Sequence, residues 1–232
     1  RLRVDGVVGP REPGGGWVSM GGRRRRGLPV KLSIIGGTRG TGAALATLAR
    51  DAGHEVTVLS RSGAAPEGVR AVAGDATDPA AIRGAVAGAD AVVVTVGGAK
   101  GVRHQRAAVT RAVIEAMREV GARRLVVQSS LGAGDSGSQM PAVLRVLTKA
   151  VLAGPLADHD AQEAAVFASG LDWTVVRPTG LRNTPAKGTW RAHVVGDGGT
   201  LGGSIPRADL AAYLLEVLGD DATIGTAPGV SS

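Results

Sequence analysis

The feature that most constrains this chain is a glycine-rich turn set between an apolar strand and an apolar helix. Leu32-Ser33-Ile34-Ile35 runs into Gly36-Gly37-Thr38-Arg39-Gly40-Thr41-Gly42, and the Ala/Leu-rich segment 43–52 leaves it. Glycine permits a tight turn and lets the backbone approach a ligand closely. The first turn of a helix leaves N–H groups unpaired and carries the positive end of the helix dipole. Strand, loop and helix in this order make a cradle for a pyrophosphate. The candidate phosphate-binding residues are Gly36, Thr38, Arg39, Gly40, Thr41 and Gly42.

From Lys31 onward the chain keeps one rhythm. Short β-branched runs fall at Leu32–Ile35, Glu55–Leu59, Val69–Ala73, Ala91–Val96, Arg124–Gln128 and Trp173–Arg177. Between them, helices are predicted at about 41–52, 79–87, 102–120, 140–153, 158–169 and 207–218. Val92-Val93-Val94 and Leu125-Val126-Val127 are continuously apolar, as strands covered on both faces are. The predicted fold is therefore α/β: a single Rossmann-type, doubly wound, mostly parallel sheet flanked by helices. Residues 178–206, rich in Gly, Pro and Thr, break the rhythm. They are expected as loops and short strands at the carboxyl end of the sheet, where such folds bind ligands.

Composition narrows the chemistry. Cysteine is absent, which removes disulfides, thiolate nucleophiles and zinc–thiolate sites. His54, His104, His159 and His193 are scattered without ligand-like spacing, so no metal is expected. The few aromatic residues cannot build a stacking platform for single strands, and the core must be aliphatic. The net charge of +7 lies mostly in residues 1–30, where seven arginines face only Asp5 and Glu12, a net of +5. Those residues, with eight Gly and three Pro, are read as a flexible basic tail, with Met20 as a candidate start. A twin-arginine export signal is disfavoured, because the apolar stretch after Arg23–Arg26 is short and enters the glycine loop. The domain over 31–232 is nearly neutral, so no nucleic-acid partner is expected for it. No apolar run reaches the roughly 20 residues that span a bilayer, so no membrane partner is expected either.

The second strand ends in Ser60-Arg61. A site for NAD usually carries Asp or Glu about 20 residues after the loop, to accept from the ribose 2′-hydroxyl. Here Arg61 stands 19 residues after Gly42, with Arg39 inside the loop. Two guanidinium groups suit a 2′-phosphate through charge-assisted bonds, so NADP(H) is expected over NAD(H).

Four further segments join this loop: Gly74-Asp75-Ala76-Thr77-Asp78, Val94-Thr95-Val96-Gly97-Gly98, Ser169 through Pro178, and Ile205 through Ala211. Together they resemble the atypical branch of the short-chain dehydrogenase/reductase superfamily, with its NmrA-like and flavin reductase/biliverdin reductase B-like members. The resemblance spans roughly residues 31–220. It implies that Asp75 and Ala76 meet the adenine, that Val96, Gly97 and Gly98 line the adenosine–pyrophosphate path, and that Pro178 lies beside the nicotinamide. It also implies a cytoplasmic reductase, monomeric or homodimeric, acting on a small-molecule acceptor. Many such relatives have Gly where this chain has Arg39, and its Gly36, Gly40, Gly42 spacing is that of the Tyr-Lys dehydrogenases.

That Tyr-x-x-x-Lys pair is excluded here, because the single tyrosine, Tyr213, is followed four residues later by Val217. The candidate catalytic residues are Ser130, with Ser129 adjacent at the end of the fifth strand, and His159. By resemblance Ser130 takes the place of the family's serine, and its hydroxyl can donate to a carbonyl or a flavin ring edge. His159 sits in Asp158-His159-Asp160, ten residues before Ser169, and its acidic neighbours are expected to hold it charged for proton relay. His193 is a weaker candidate, and His54 is read as structural. Residues 134–156 are expected to contribute to the acceptor pocket. The leading expectation is NADPH-dependent hydride transfer to a flavin, quinone or similar conjugated acceptor. The rival is a non-catalytic NADP(H)-binding redox sensor.

Overall fold

The glycine turn does what its composition dictates: it ends β1 (Lys31–Ile35) and opens α1 (Gly40–Asp51). The computed structural model describes residues 29–97 and 105–232. The basic tail expected over 1–30 therefore falls almost wholly outside the described residues, as do Gly98 and His104. After α1 come β2 (Glu55–Ser60), β3 (Arg70–Ala73), α2 (Pro79–Val86), β4 (Ala91–Val94), α3 (Gln105–Val120) and β5 (Arg124–Gln128). Then follow α4 (Ala142–Val151), α5 (Ala153–Phe167), β6 (Asp172–Pro178), β7 (Gly180–Arg182), β8 (Arg191–His193), β9 (Ser204–Pro206), α6 (Arg207–Leu218) and β10 (Gly229–Ser231).

The main sheet has the strand order β3-β2-β1-β4-β5-β6-β10-β8. Every pairing from β3 through β6 to β10 is parallel, and β8 closes the edge antiparallel to β10. The fold is thus the Rossmann-type α/β sheet expected. The order reverses between β1 and β4, so their carboxyl ends diverge into a crevice. The continuous apolar strands are shared between two core layers by parity. Val93 and Val126 face the layer made with Leu45, Ala49, Leu210 and Leu214 of α1 and α6. Val92, Val94, Leu125 and Val127 face the layer made with Ile82, Val113, Met117 and Val166 of α2, α3 and α5.

Strand β4 ends at Val94 rather than Val96, and α4 spans Ala142–Val151 rather than 140–153; two other departures are larger. Helix α5 begins at Ala153 rather than 158, because Pro155 falls in its first turn, where a backbone N–H has no intrahelical partner to lose. Strand β10 has no local signal beyond Val230, and it is held between β6 and β8 by pairings to residues far away in sequence.

Candidate functional site

The crevice at the carboxyl ends of β1 and β4 opens into a cavity of about 980 Å³. Its floor is the glycine turn. Gly36 has a φ of +95°, and a Cβ there would lie 3.1 Å from the Val96 nitrogen, so the turn and the end of β4 touch at backbone distance. Gly42 is the one described phosphate-loop candidate that does not line the cavity. It lies behind the turn, where a side chain would overlap the Gly36 carbonyl and the Thr95 hydroxyl, and its role is to let α1 seat against the turn.

Helix α1 begins after Arg39 in extended backbone, with no side-chain cap and no acidic residue in its first turn. Its N-terminal donors and dipole are left for a ligand. The Thr41 hydroxyl beside them is buried without a hydrogen-bond partner. Around this floor, Gly36, Thr38, Arg39, Gly40 and Thr41 line the cavity together with Arg61, Asp75, Ala76, Val96, Gly97 and Pro178. The described lining carries four arginines, Arg39, Arg61, Arg106 and Arg207, against one carboxylate, Asp75. Asp75 is held below the usual carboxylate range by the hydroxyl and backbone N–H of Thr77, with a smaller contribution from the charge of Arg61.

Sequence reasoning passed over Arg207 as a site residue. It is the first residue of α6, its Nε donates to Asn183 Oδ1 at 2.9 Å, and its guanidinium lies 3.4 Å from where a Gly40 Cβ would be. Its only signal was a place in the Ile205–Ala211 segment, which says nothing about where the side chain goes.

The opposite end of the cavity holds Ser129, Ser130 and His159, drawn together from β5 and α5. Met140, Thr148, Leu152, Pro155 and Leu156 give it an apolar wall. These come from the later part of the 134–156 segment. Gly134 and Ser136 instead tie their own loop, through Asp160 and Ala133. Ser129 is the serine that meets the histidine: its Oγ lies 3.4 Å from His159 Nδ1 and donates to Glu163 Oε1 at 2.6 Å. Glu163 is held in turn by Arg177 through contacts of 3.0 and 2.7 Å, and Arg177 reaches Asp135 at 2.8 Å. Ser130 is half-buried, and its hydroxyl makes only a long bond of 3.3 Å to the Leu131 carbonyl.

The expectation of a charged His159 is corrected. The residue is buried in the middle of α5, and desolvation, joined by the nearby charge of Arg106, lowers its pKa to about 4. The two acids expected to charge it are engaged elsewhere. Asp158 accepts from the backbone of Arg106 and Ala107 at the start of α3, and Asp160 accepts from Gly134. His193 lies outside the cavity, paired with Asp197 at 3.0 Å. His54 accepts from Val30 N–H where α1 returns to β2. Tyr213 is packed in α6 against Trp190, away from the cavity, and burial pushes its phenol pKa upward.

A family model described as NAD(P)H-binding matches residues 36–221, which carry the glycine turn, the cavity and α6. The chain belongs to this NAD(P)H-binding family. Among solved structures similar to it is a short-chain dehydrogenase/reductase from Veillonella parvula in complex with NADP, 20% identical with a TM-score of 0.75, 88% of this chain and 95% of that one being covered. Another is ChuY, an anaerobillin reductase from Escherichia coli O157:H7, 25% identical with a TM-score of 0.70, covering 86% of this chain and 96% of that one. A Rossmann-fold NAD(P)-binding family protein from Shigella flexneri is 21% identical, with a TM-score of 0.69 over 88% and 94% of the two chains. The residues present suit the family's dinucleotide: the uncapped α1 terminus, the orphaned Thr41 hydroxyl and the arginine-rich lining all favour a polyanion.

Proposed function

We propose that this NAD(P)H-binding protein is an NADPH-dependent reductase that passes hydride to a flavin, quinone or similar conjugated small molecule. One observation carries the reading: the phosphate loop, Arg39 and Arg61 share a single cavity with the serine–histidine end and its apolar wall. This reading seats a dinucleotide along the phosphate-loop side and a planar acceptor against the apolar wall. ChuY, with its anaerobillin reductase activity, supports the same reading by likeness.

The chain's own residues divide the work. The α1 N-terminus and Thr41 hold the pyrophosphate, Arg39 and Arg61 bracket the 2′-phosphate, and Asp75 with Ala76 frames the adenine. Val96 and Gly97 line the adenosine–pyrophosphate path, Pro178 flanks the nicotinamide, and the wall from Met140 to Leu156 keeps water from the reacting faces. When bound, the dinucleotide supplies the hydride, and the protein supplies position. The Ser130 hydroxyl, held only by its long bond to the Leu131 carbonyl, can turn its proton to a carbonyl of the acceptor and so orient it. Neither serine has a proton acidity suited to general acid work near neutral pH, so protonation of the reduced product falls to solvent.

The test is steady-state oxidation of NADPH with FMN and with a quinone. Ser130→Ala should lower turnover roughly ten- to a hundredfold, the scale of one lost positioning hydrogen bond, while NADPH affinity stays the same. A specific observation favours a second reading, a redox sensor: Tyr213 is buried away from the cavity, and His159, kept neutral by burial, is no general acid near neutral pH. Tight NADPH binding with no turnover of either acceptor would favour the sensor.

A further inference from the structure

Helix α4 turns its apolar side outward. Val143, Val146 and Val151 are 75%, 65% and 77% exposed, and Leu152, just past the helix end, is 43% exposed. Among the described residues outside this stretch, no large apolar side chain exceeds 43%. A single exposed valine is ordinary, but three on one helix followed by a leucine make a patch, and such patches mark interaction sites. The inner side of the helix is already used. Thr148 and Leu152 line the cavity, and Arg145 Cδ lies 3.6 Å from where a Gly137 Cβ would be. The valines are what the packing of α4 leaves over.

Charge decides what covers the patch. Residues 136–157 hold Arg145 and Lys149 and no Asp or Glu. Arg145 is exposed and makes no ion pair among the described residues. The acids that bound the stretch are spent, Asp135 on Arg177 and Asp158 on Arg106. A second copy docking by the same face would set these basic residues against their own counterparts, with no carboxylate between them. Residues 1–30, with a net charge of +5, meet the same repulsion. A helix with valines outward and only basic charge beside them fits the boundary between lipid headgroups and acyl chains. There the valines leave water, and arginine reaches anionic headgroups on its apolar stem. We propose that α4 is a membrane-surface helix that docks this protein on a bilayer carrying anionic lipid. Such a contact reaches only roughly 5–10 Å into the bilayer and needs no spanning segment. It is independent of the reductase reading, but because α4 also walls the cavity, docking brings that wall to the lipid surface.

The test is sedimentation of the full chain with vesicles of phosphatidylcholine alone and of phosphatidylcholine with phosphatidylserine, roughly 7:3. Binding should be about tenfold tighter to the anionic vesicles and should weaken with added salt. The double variant Val143→Ser, Val146→Ser keeps every charge and should weaken that binding at least about fivefold. Arg145→Glu should weaken it roughly tenfold. All three positions are exposed, so thermal scans should show that the variants fold as the parent does. The fluorescence of a Val146→Trp protein should shift to shorter wavelength on adding anionic vesicles, beyond any shift of the parent. No binding to anionic vesicles overturns the proposal, as does equal binding to both vesicle types. Undiminished binding by the double serine variant overturns it, because the attraction then lies in the charge of residues 1–30 alone. An unshifted Val146→Trp spectrum overturns it as well. So does a parent oligomer that the double serine variant breaks into monomers in analytical ultracentrifugation, since the face then belongs to a second copy.

Discussion

At the residue scale the site is governed by which charges are free and which are spent. Arg61 lines the cavity, and its effect on Asp75 is the smaller one, so its guanidinium is available to a phosphate. Arg61→Ala should weaken NADPH binding at least tenfold and leave NADH binding nearly unchanged, since a charge-assisted phosphate contact contributes about 1.5–3 kcal/mol. Titration of both dinucleotides by nicotinamide fluorescence checks this, and equal affinities in the parent protein would refute the NADP(H) preference. His159 makes a second residue-scale prediction. Its pKa falls from 6.5 in the free side chain to about 4 in the fold, with Arg106 of α3 and Asp158 and Asp160 of α5 as the charged groups acting on it. Between these values the unfolded chain binds a proton that the folded chain refuses, so stability rises with pH across that window. It is lost as pH falls from 6.5 toward 4, by on the order of 3 kcal/mol for this group. Urea unfolding at pH 7 and pH 5 should show a smaller difference for His159→Leu than for the parent.

At the scale of elements, two helices bring in groups that their own sequences do not mark. Helix α6 delivers Arg207 over the phosphate loop, held there by Asn183 of the segment after β7. On the proposed reading its charge, beside Gly40 of the phosphate loop, would act on the pyrophosphate common to both cofactors. Arg207→Ala should therefore weaken NADPH and NADH by the same factor, roughly five- to tenfold, in contrast to Arg61→Ala. Helix α5 delivers Glu163 to Arg177 of β6, both almost fully buried, and the pair joins helix, strand and the Asp135 loop under Ser129. Removing one member leaves a buried charge alone, so Arg177→Met should lower stability by about 3–5 kcal/mol. Chemical denaturation measures the loss. Helix boundaries themselves were largely readable. Lys31–Ile35, Arg124–Gln128 and Arg207–Leu218 match the strand and helix periods seen in the residues, while the first turn of α5 was hidden behind Gly154-Pro155.

At the scale of the whole molecule, β10 ties the edge strand β8 to the rest of the sheet. It pairs parallel with β6 and antiparallel with β8, and its neighbours Thr226 and Pro228 accept from Val175 and Arg177 of β6. Deleting residues 227–232 should therefore expose one edge of β6, detach β8 and lower Tm by more than roughly 10 °C, several times the effect of a single 1 kcal/mol change in a domain of this size. A thermal scan within a few degrees of the parent would show that β10 contributes little. Among the described residues no helix is long and apolar enough to cross a membrane.

By itself the sequence determined the alternation of strand and helix, the parallel aliphatic sheet and the phosphate turn. Each of these is written in neighbouring residues: Val92-Val93-Val94 announces a strand covered on both faces, and Leu32 through Gly42 announces strand, turn and helix. Only the tertiary structure decided the polarity of the acceptor end. Asp158 and Asp160 adjoin His159 in sequence and suggested a charged imidazole, yet helix geometry sends them to α3 and to Gly134. The groups that do meet the ring, Ser129 and Gln162, come from another strand and from one helical turn away. The protonation of a buried group is set by what surrounds it in three dimensions and by its removal from water, and neither is encoded in the residues beside it.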